Sequence, residues 1–164
     1  MSGAKPYLLL MNTDYNAFGP DKVERYFARC LFYGFFPGFF SHNAADNPYW
    51  QNPAWYNRDR PLFKKYLPLI KRVAEAGWRP WTTARSGNEQ VGLERFGPGA
   101  TGEVYFTAYN DTEVAQTTTV GDAGIRDGID YRAEAFELLS GRVIPATAAG
   151  WTIRHWQGET LPLD

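Results

Sequence analysis

Between Ser41 and Pro61 the chain reads SHNAADNPYWQNPAWYNRDRP, a stretch dense in side chains that can hold a ligand. Tyr49, Trp50, Trp55 and Tyr56 are interleaved there with His42, Asn43, Asp46, Asn47, Gln51, Asn52, Asn57, Arg58, Asp59 and Arg60. Flat aromatic faces beside short hydrogen-bonding groups suit a sugar, whose ring has apolar C–H faces and a polar hydroxyl edge. The same residues also suit a self-supporting surface loop, since Pro48, Pro53 and Pro61 stiffen the segment and its aromatics can pack onto the body of the protein. A second group, Asn12, Asp14 and Tyr15, lies in the run MNTDYN just past an apolar segment.

Composition narrows the possible partners. The chain has 164 residues, 44% of them hydrophobic, enough for one compact domain or two small ones. A net charge of -1 gives no electrostatic reason to expect nucleic acid or an anionic membrane. The aromatic fraction is 16%, with six Trp, which favours a flat, weakly charged ligand over phosphate groups. Cys30 is the only cysteine, so no intrachain disulfide forms. His42 and His155 are far apart and form no zinc motif, and nothing in the sequence calls for a cofactor or metal. The apolar run Tyr7 to Met11 is far too short to span a bilayer and is not followed by a signal-peptide cleavage pattern. The polypeptide as given therefore reads as soluble and cytoplasmic, although a longer parent could be exported.

The elements that would position these residues follow from periodicity. YLLLM, Tyr7 to Met11, reads as a strand buried on both faces, as in a parallel sheet. A helix is expected from Asp21 to about Tyr33, with Val23, Tyr26, Phe27, Cys30 and Leu31 on its apolar stripe and Gly34 ending it. On that stripe Cys30 reads as a core thiol. FFPGFF, Phe35 to Phe40, is a second strand weakened by Pro37 and Gly38. The aromatic loop follows, and then a helix from Pro61 to Ala76 that Pro68 should kink or split. In a parallel sheet the loops after each strand emerge at the carboxyl edge, so Asn12, Asp14 and Tyr15 would meet His42, Asn43 and the Trp50/Trp55 loop there. Beyond Gly77 the chain turns to short β segments such as Val91 to Phe96, VYFTAYN and AQTTTV, and ends in WTIRHWQG, with Trp151, Ile153 and His155 on one face. The expected fold class is mixed α+β, with a βαβα segment over residues 1–83 and an antiparallel β-sandwich over residues 84–164.

GFFPGFFSHN, the run YNRDRPLFKKYLPLIKRVAEAGW, VGLERFG, VYFTAYND and FELLSGR together resemble the last part of a large glycoside hydrolase. In such enzymes the final βα units of a (β/α)8, or TIM, barrel precede a C-terminal all-β domain. The resemblance covers nearly the whole chain. It carries no diagnostic catalytic signature, and two βα units in about 77 residues cannot close a barrel of eight.

Glycoside hydrolysis usually needs two carboxyl groups flanking the scissile bond. Asp14 is the candidate catalytic carboxylate, with Asp46 or Asp59 as a second member, although Asn-Thr-Asp is also ordinary turn chemistry. Asn12, Tyr15, His42, Asn43, Asp46, Trp50, Trp55, Tyr56 and Arg58 are the candidate substrate-binding residues. Arg58 and Arg60 equally suit pairing with Asp59 and Asp46. GPGATG lies between strands without the Lys-Ser/Thr ending of a phosphate loop. Two readings result. In one, the chain is a C-terminal fragment or module of a carbohydrate-active enzyme, inactive alone, that needs either the missing N-terminal barrel portion or a second copy. In the other, it is a non-catalytic glycan-binding or protein-interaction module that self-associates to cover its apolar strands.

Overall fold

The computed structural model describes residues 7–41, 47–125 and 128–155. The chain is mixed α+β, with two α-helices and strands arranged in four separate sheets, none of which closes into a barrel among the described residues. Contacts divide it into two compact units, Met1–Trp78 with Phe96–Tyr105, and Arg79–Arg95 with Phe106–Asp164.

In the first unit β1 (Leu8–Thr13) and β2 (Phe36–Ser41) pair in parallel, Leu8 opposite Phe36 and Asn12 opposite Phe40. Between them runs α1 (Pro20–Tyr33). Pro20 at its first turn needs no hydrogen-bonded N–H, and Gly34, at φ 66°, closes it in the left-handed conformation with its own N–H on the last carbonyls. Val23, Tyr26, Phe27, Cys30 and Phe32 are its buried residues. The Tyr26 hydroxyl ties the helix to both strands: it donates to the Leu9 carbonyl and accepts from the Gly38 N–H at 2.9 Å. Pro37 is tolerated because, among the described residues, β2 is one of two strands in its sheet, so a missing ladder donor faces an unpaired edge.

Two expectations are corrected here. β1 is not buried on both faces. Leu9 and Met11 are partly buried on the side packed by the helices, while Leu8 and Leu10 are 67% and 63% exposed on the other. Period-2 alternation of exposure along an all-apolar run means that one sheet face has no cover among the described residues.

The second helix starts earlier than expected. A 3-10 turn, Tyr49–Gln51, leads into α2 (Pro53–Ala76), so Trp55 to Arg60 are helical and not part of a loop. Pro61 and Pro68 both lie inside an unbroken helix. They are seven residues apart, hence on one side, and that side is exposed, so the carbonyls they leave unbonded face water. The buried stripe is Trp55, Asp59, Tyr66, Ile70, Val73 and Ala76. Its last turn packs on Phe96, which also fills the space beside Gly34; a Cβ there would lie 2.5 Å from the Phe96 ring.

The second part of the chain carries β3 (Trp78–Arg79), β4 (Ala84–Ser86), β5 (Val91–Phe96), β6 (Tyr105–Asn110), β7 (Gln116–Asp122), β8 (Ala135–Glu137), β9 (Arg142–Ile144), β10 (Ala146–Thr147) and β11 (Gly150–His155). β10, β11, β7 and β4 form one antiparallel sheet in that order, with Trp151 opposite Val120 and Ala84 opposite Asp122. A three-stranded sheet runs β3, β5, β6, and β8 pairs with β9. Ala84, Val120, Tyr131 and Trp151 centre the second core, with Phe106 packed on it. Trp151 is buried and Ile153 partly buried. The side chain of His155, expected on the same face, lies outside the described residues. Among the described residues no helix is long and apolar enough to cross a membrane.

Candidate functional site

The residues singled out in the sequence fall into three groups. His42, Asn43 and Asp46 lie outside the described residues. Their flanks converge, since the Ser41 hydroxyl donates to the Asn47 carbonyl and the Asn52 amide donates to Asn47 Oδ1 at 3.2 Å. The second group is buried and the third exposed.

The buried group is a polar knot in an aromatic core. Asp59 is fully buried. Its Oδ1 accepts from Arg58 Nε at 2.7 Å, and its Oδ2 accepts from the second guanidinium nitrogen at 3.0 Å and from the Tyr49 hydroxyl at 2.9 Å. The remaining Arg58 nitrogen donates to the Tyr15 carbonyl at 2.9 Å, joining α2 to the loop after β1. Trp55 Nε1 donates to Asn16 Oδ1 at 3.0 Å and makes a second such link. Tyr15, Tyr49 and Trp55 pack mutually, with ring centroids 4.7 to 6.3 Å apart, and the Tyr15 hydroxyl donates to the Met11 carbonyl at 2.9 Å.

Burial pushes the Tyr15 phenol up to about 12. Burial, and then the adjacent Asp59 carboxylate, raise Tyr49 as well. The carboxylate that accepts from its guanidinium holds Arg58 above its ordinary value. Tyr15 and Trp55, expected to touch a ligand, are 0% and 4% exposed and form the core beneath the site instead. Asp59, a possible second catalytic carboxylate, has both oxygens committed and no exposed surface. Arg58 pairs with Asp59, while Arg60 donates to Asn57 Oδ1 at 2.7 Å.

Asp14 forms a turn. Its Oδ1 accepts from the Asn16 N–H at 2.9 Å, and its carbonyl accepts from the N–H groups of Ala17 and Phe18. The carboxylate is partly buried and sits at the carboxyl end of β1, where the turn chemistry of NTDYN holds it.

The exposed group is Asn12, Phe40 and Trp50, with Tyr56 partly exposed. Trp50 is 58% exposed and stands edge-on to Tyr49 at 5.0 Å and 89°. It leans on Phe39 at 6.2 Å and Phe63 at 5.5 Å. Asn12 and Phe40 are register partners on the uncovered face of the sheet, whereas Phe39, beneath Trp50, belongs to the helix-packed face. The structure therefore presents two surfaces, an indole on the helical side and an apolar sheet face on the other.

The structure shows the pairing of Arg58 with Asp59 and the packing of Tyr49 and Trp55 that the sequence left open as alternatives, and adds Asn16, to which the sequence did not point. The signal for that packing was present, since Trp55, Asp59 and Tyr66 share the helical spacing of Ile70 and Val73, and a helix begun at Pro53 exposes that stripe. Cys30 is buried, and burial raises its thiol to about 12, which makes it a core thiol. Among the described residues no cluster of His, Cys, Asp and Glu could hold a metal ion. No family model, curated protein or solved structure matches the chain.

Proposed function

We propose that the chain is a C-terminal portion of a carbohydrate-active enzyme, similar to a glycoside hydrolase, that supplies an aromatic sugar-binding wall and an accessory β domain. The observation that carries this is the two-sided character of the parallel pair. Leu9, Met11 and Phe39 face helices, while Leu8, Leu10 and Phe40 form an exposed apolar face with no cover among the described residues. In a (β/α)8 barrel each strand has these two sides: one packs the outer helices, and the other, rich in bulky apolar side chains, fills the barrel interior. On this reading β1 and β2 are the last strands of such a barrel, and the second unit is the β-sandwich that follows it.

Trp50 is the sugar platform. The buried knot below it, Asp59 with Arg58 and Tyr49, fixes the backbone that presents the indole, and contacts with Phe39, Tyr49 and Phe63 restrict its rotamers before binding. With two βα units and one turn-held carboxylate, the chain does not hydrolyse glycosides alone. A panel of chromogenic glycosides should give no turnover above background, and turnover abolished by Asp14→Asn would overturn this assignment. Neutral oligosaccharides should quench Trp fluorescence with a dissociation constant on the order of millimolar, equivalent to about 4 kcal/mol. Trp50→Ala should remove the quench.

A second reading is favoured by the same uncovered face: a glycan-binding or interaction module whose copies associate through Leu8, Leu10 and Phe40. Its distinguishing outcome is a defined dimer of the isolated chain with sugar binding intact.

A further inference from the structure

The second unit holds a concavity of about 780 Å3 that neither the aromatic stretch nor the glycoside hydrolase resemblance points to, lined among others by Arg85, Thr119, Asp122, Asp130, Tyr131 and Arg132. It is a half-open concavity with a mainly polar lining. Four charges border it, two of each sign, yet they do not pair with one another. Among the described residues neither the Arg85 nor the Arg132 guanidinium has a hydrogen bond or ion pair. The carboxylates are held by their own turns. Asp122 Oδ1 accepts from the Gly124 N–H at 2.7 Å, and Asp130 Oδ1 accepts from the Arg132 N–H at 2.9 Å, which leaves the second oxygen of each to other donors.

The wall behind them is packed. Tyr131 is buried against Trp151 and Phe106, with centroids 5.3 and 6.1 Å away, and Trp151 Nε1 donates to the Ala133 carbonyl at 2.8 Å. β4 and β7 fix Arg85 opposite Gly121 and Asp122 opposite Ala84.

We infer that this concavity is a second binding site for a neutral polyhydroxylated ligand, an oligosaccharide of a few rings; the inference rests on the carbohydrate reading above. Guanidinium groups only donate and carboxylates only accept, whereas a sugar hydroxyl does both and can bridge Arg85 or Arg132 to the remaining oxygen of Asp122 or Asp130. The four charges sum to zero, so the site offers no net attraction to a phosphate, sulfate or uronate.

The test is a titration of the intact 15N-labelled chain with cellohexaose, mannohexaose and xylohexaose, reading the Gly121 and Gly150 amides together with the Trp50 indole. At least one hexasaccharide should shift the two glycine amides saturably, the double variant Arg85→Gln/Arg132→Gln should weaken that response about tenfold or more, and Trp50→Ala should leave it unchanged. Both arginines are exposed, and unchanged amide dispersion will verify the fold of the double variant. The inference fails if the glycine amides do not shift, if the arginine changes have no effect, if Trp50→Ala abolishes the response, or if an oligouronate binds more tightly than the neutral sugars. A Trp50 response with silent glycines overturns this site alone. Silence of both probes overturns the carbohydrate reading with it.

Discussion

Replacing Asp59 by Asn removes one negative charge from a fully buried position that accepts three hydrogen bonds, two of them from one guanidinium. Breaking a buried ion pair by removing one partner typically costs about 3–5 kcal/mol. Here the cost is lower. The Arg58 side chain is 25% exposed and keeps its bond to the Tyr15 carbonyl, so it rehydrates in part, and Asn retains one acceptor and nearly the same volume. The expected loss is about 2–3 kcal/mol, the size of two weakened charge-assisted hydrogen bonds. Urea unfolding followed by Trp fluorescence measures it. Tyr49→Phe should cost about 1–2 kcal/mol by the same reasoning, and the double variant should fall short of the sum, because both changes act on one carboxylate. A loss below about 0.5 kcal/mol for Asp59→Asn, the range of ordinary surface changes, would refute the claim that this knot holds α2 to the loop after β1.

The two indoles of the aromatic stretch should behave oppositely. Trp55→Ala should cost about 3–5 kcal/mol as a core truncation, and Trp50→Ala under about 1 kcal/mol as an exposed one, in the same denaturation assay. Alkaline stability should reveal Cys30. Its thiol is raised from 9.0 to about 12 in the folded chain, so the stability it contributes is complete below pH 9 and is lost as pH rises from there through about 12. Unfolding midpoints of the Cys30→Ala variant should therefore begin to fall only near pH 10, where Tyr15, raised from 10.0 to about 12, starts to contribute with the same sign. Finally, Leu8→Lys with Leu10→Lys should abolish binding of an exposed-apolar dye and any self-association seen by light scattering, because both side chains lie on the uncovered face.

Much of the first unit could be read from local sequence. α1 had a 3.6-residue stripe and a glycine stop that agree with the structure, and its start, expected at Asp21, lies one residue earlier at Pro20. Asp14 was legible as turn chemistry because its partners lie two to four residues away. Two things were hidden because tertiary context decided them. The uncovered face of β1 is invisible in YLLLM, where every residue is apolar whichever side is covered. The start of α2 was masked by Pro61, which reads as a first-turn residue; the structure tolerates it inside the helix because its side faces water. That one misplacement made Trp55, Arg58 and Asp59 look like loop ligands when helical geometry points Trp55 and Asp59 into the core. In the second unit the strands were recognisable from β-branched runs and turn residues, as with Val91–Phe96, but their pairing order was not, since β11 pairs with its neighbour β10 on one side and with β7, distant in sequence, on the other.

The measurement that bears most directly on the sugar-binding wall is a nitrogen-proton correlation spectrum of the indole N–H groups during titration with neutral oligosaccharides. The chain has six Trp, of which Trp50 is exposed beside the candidate site, whereas Trp55 and Trp151 have their indole N–H groups bonded to Asn16 and Ala133. The Trp50 resonance, identified as the one that disappears in Trp50→Ala, should move saturably at millimolar sugar, with Trp55 essentially still. A Trp50 resonance unmoved by every sugar tested, or a shift of Trp55 with Trp50 silent, would contradict the assignment of this surface to carbohydrate.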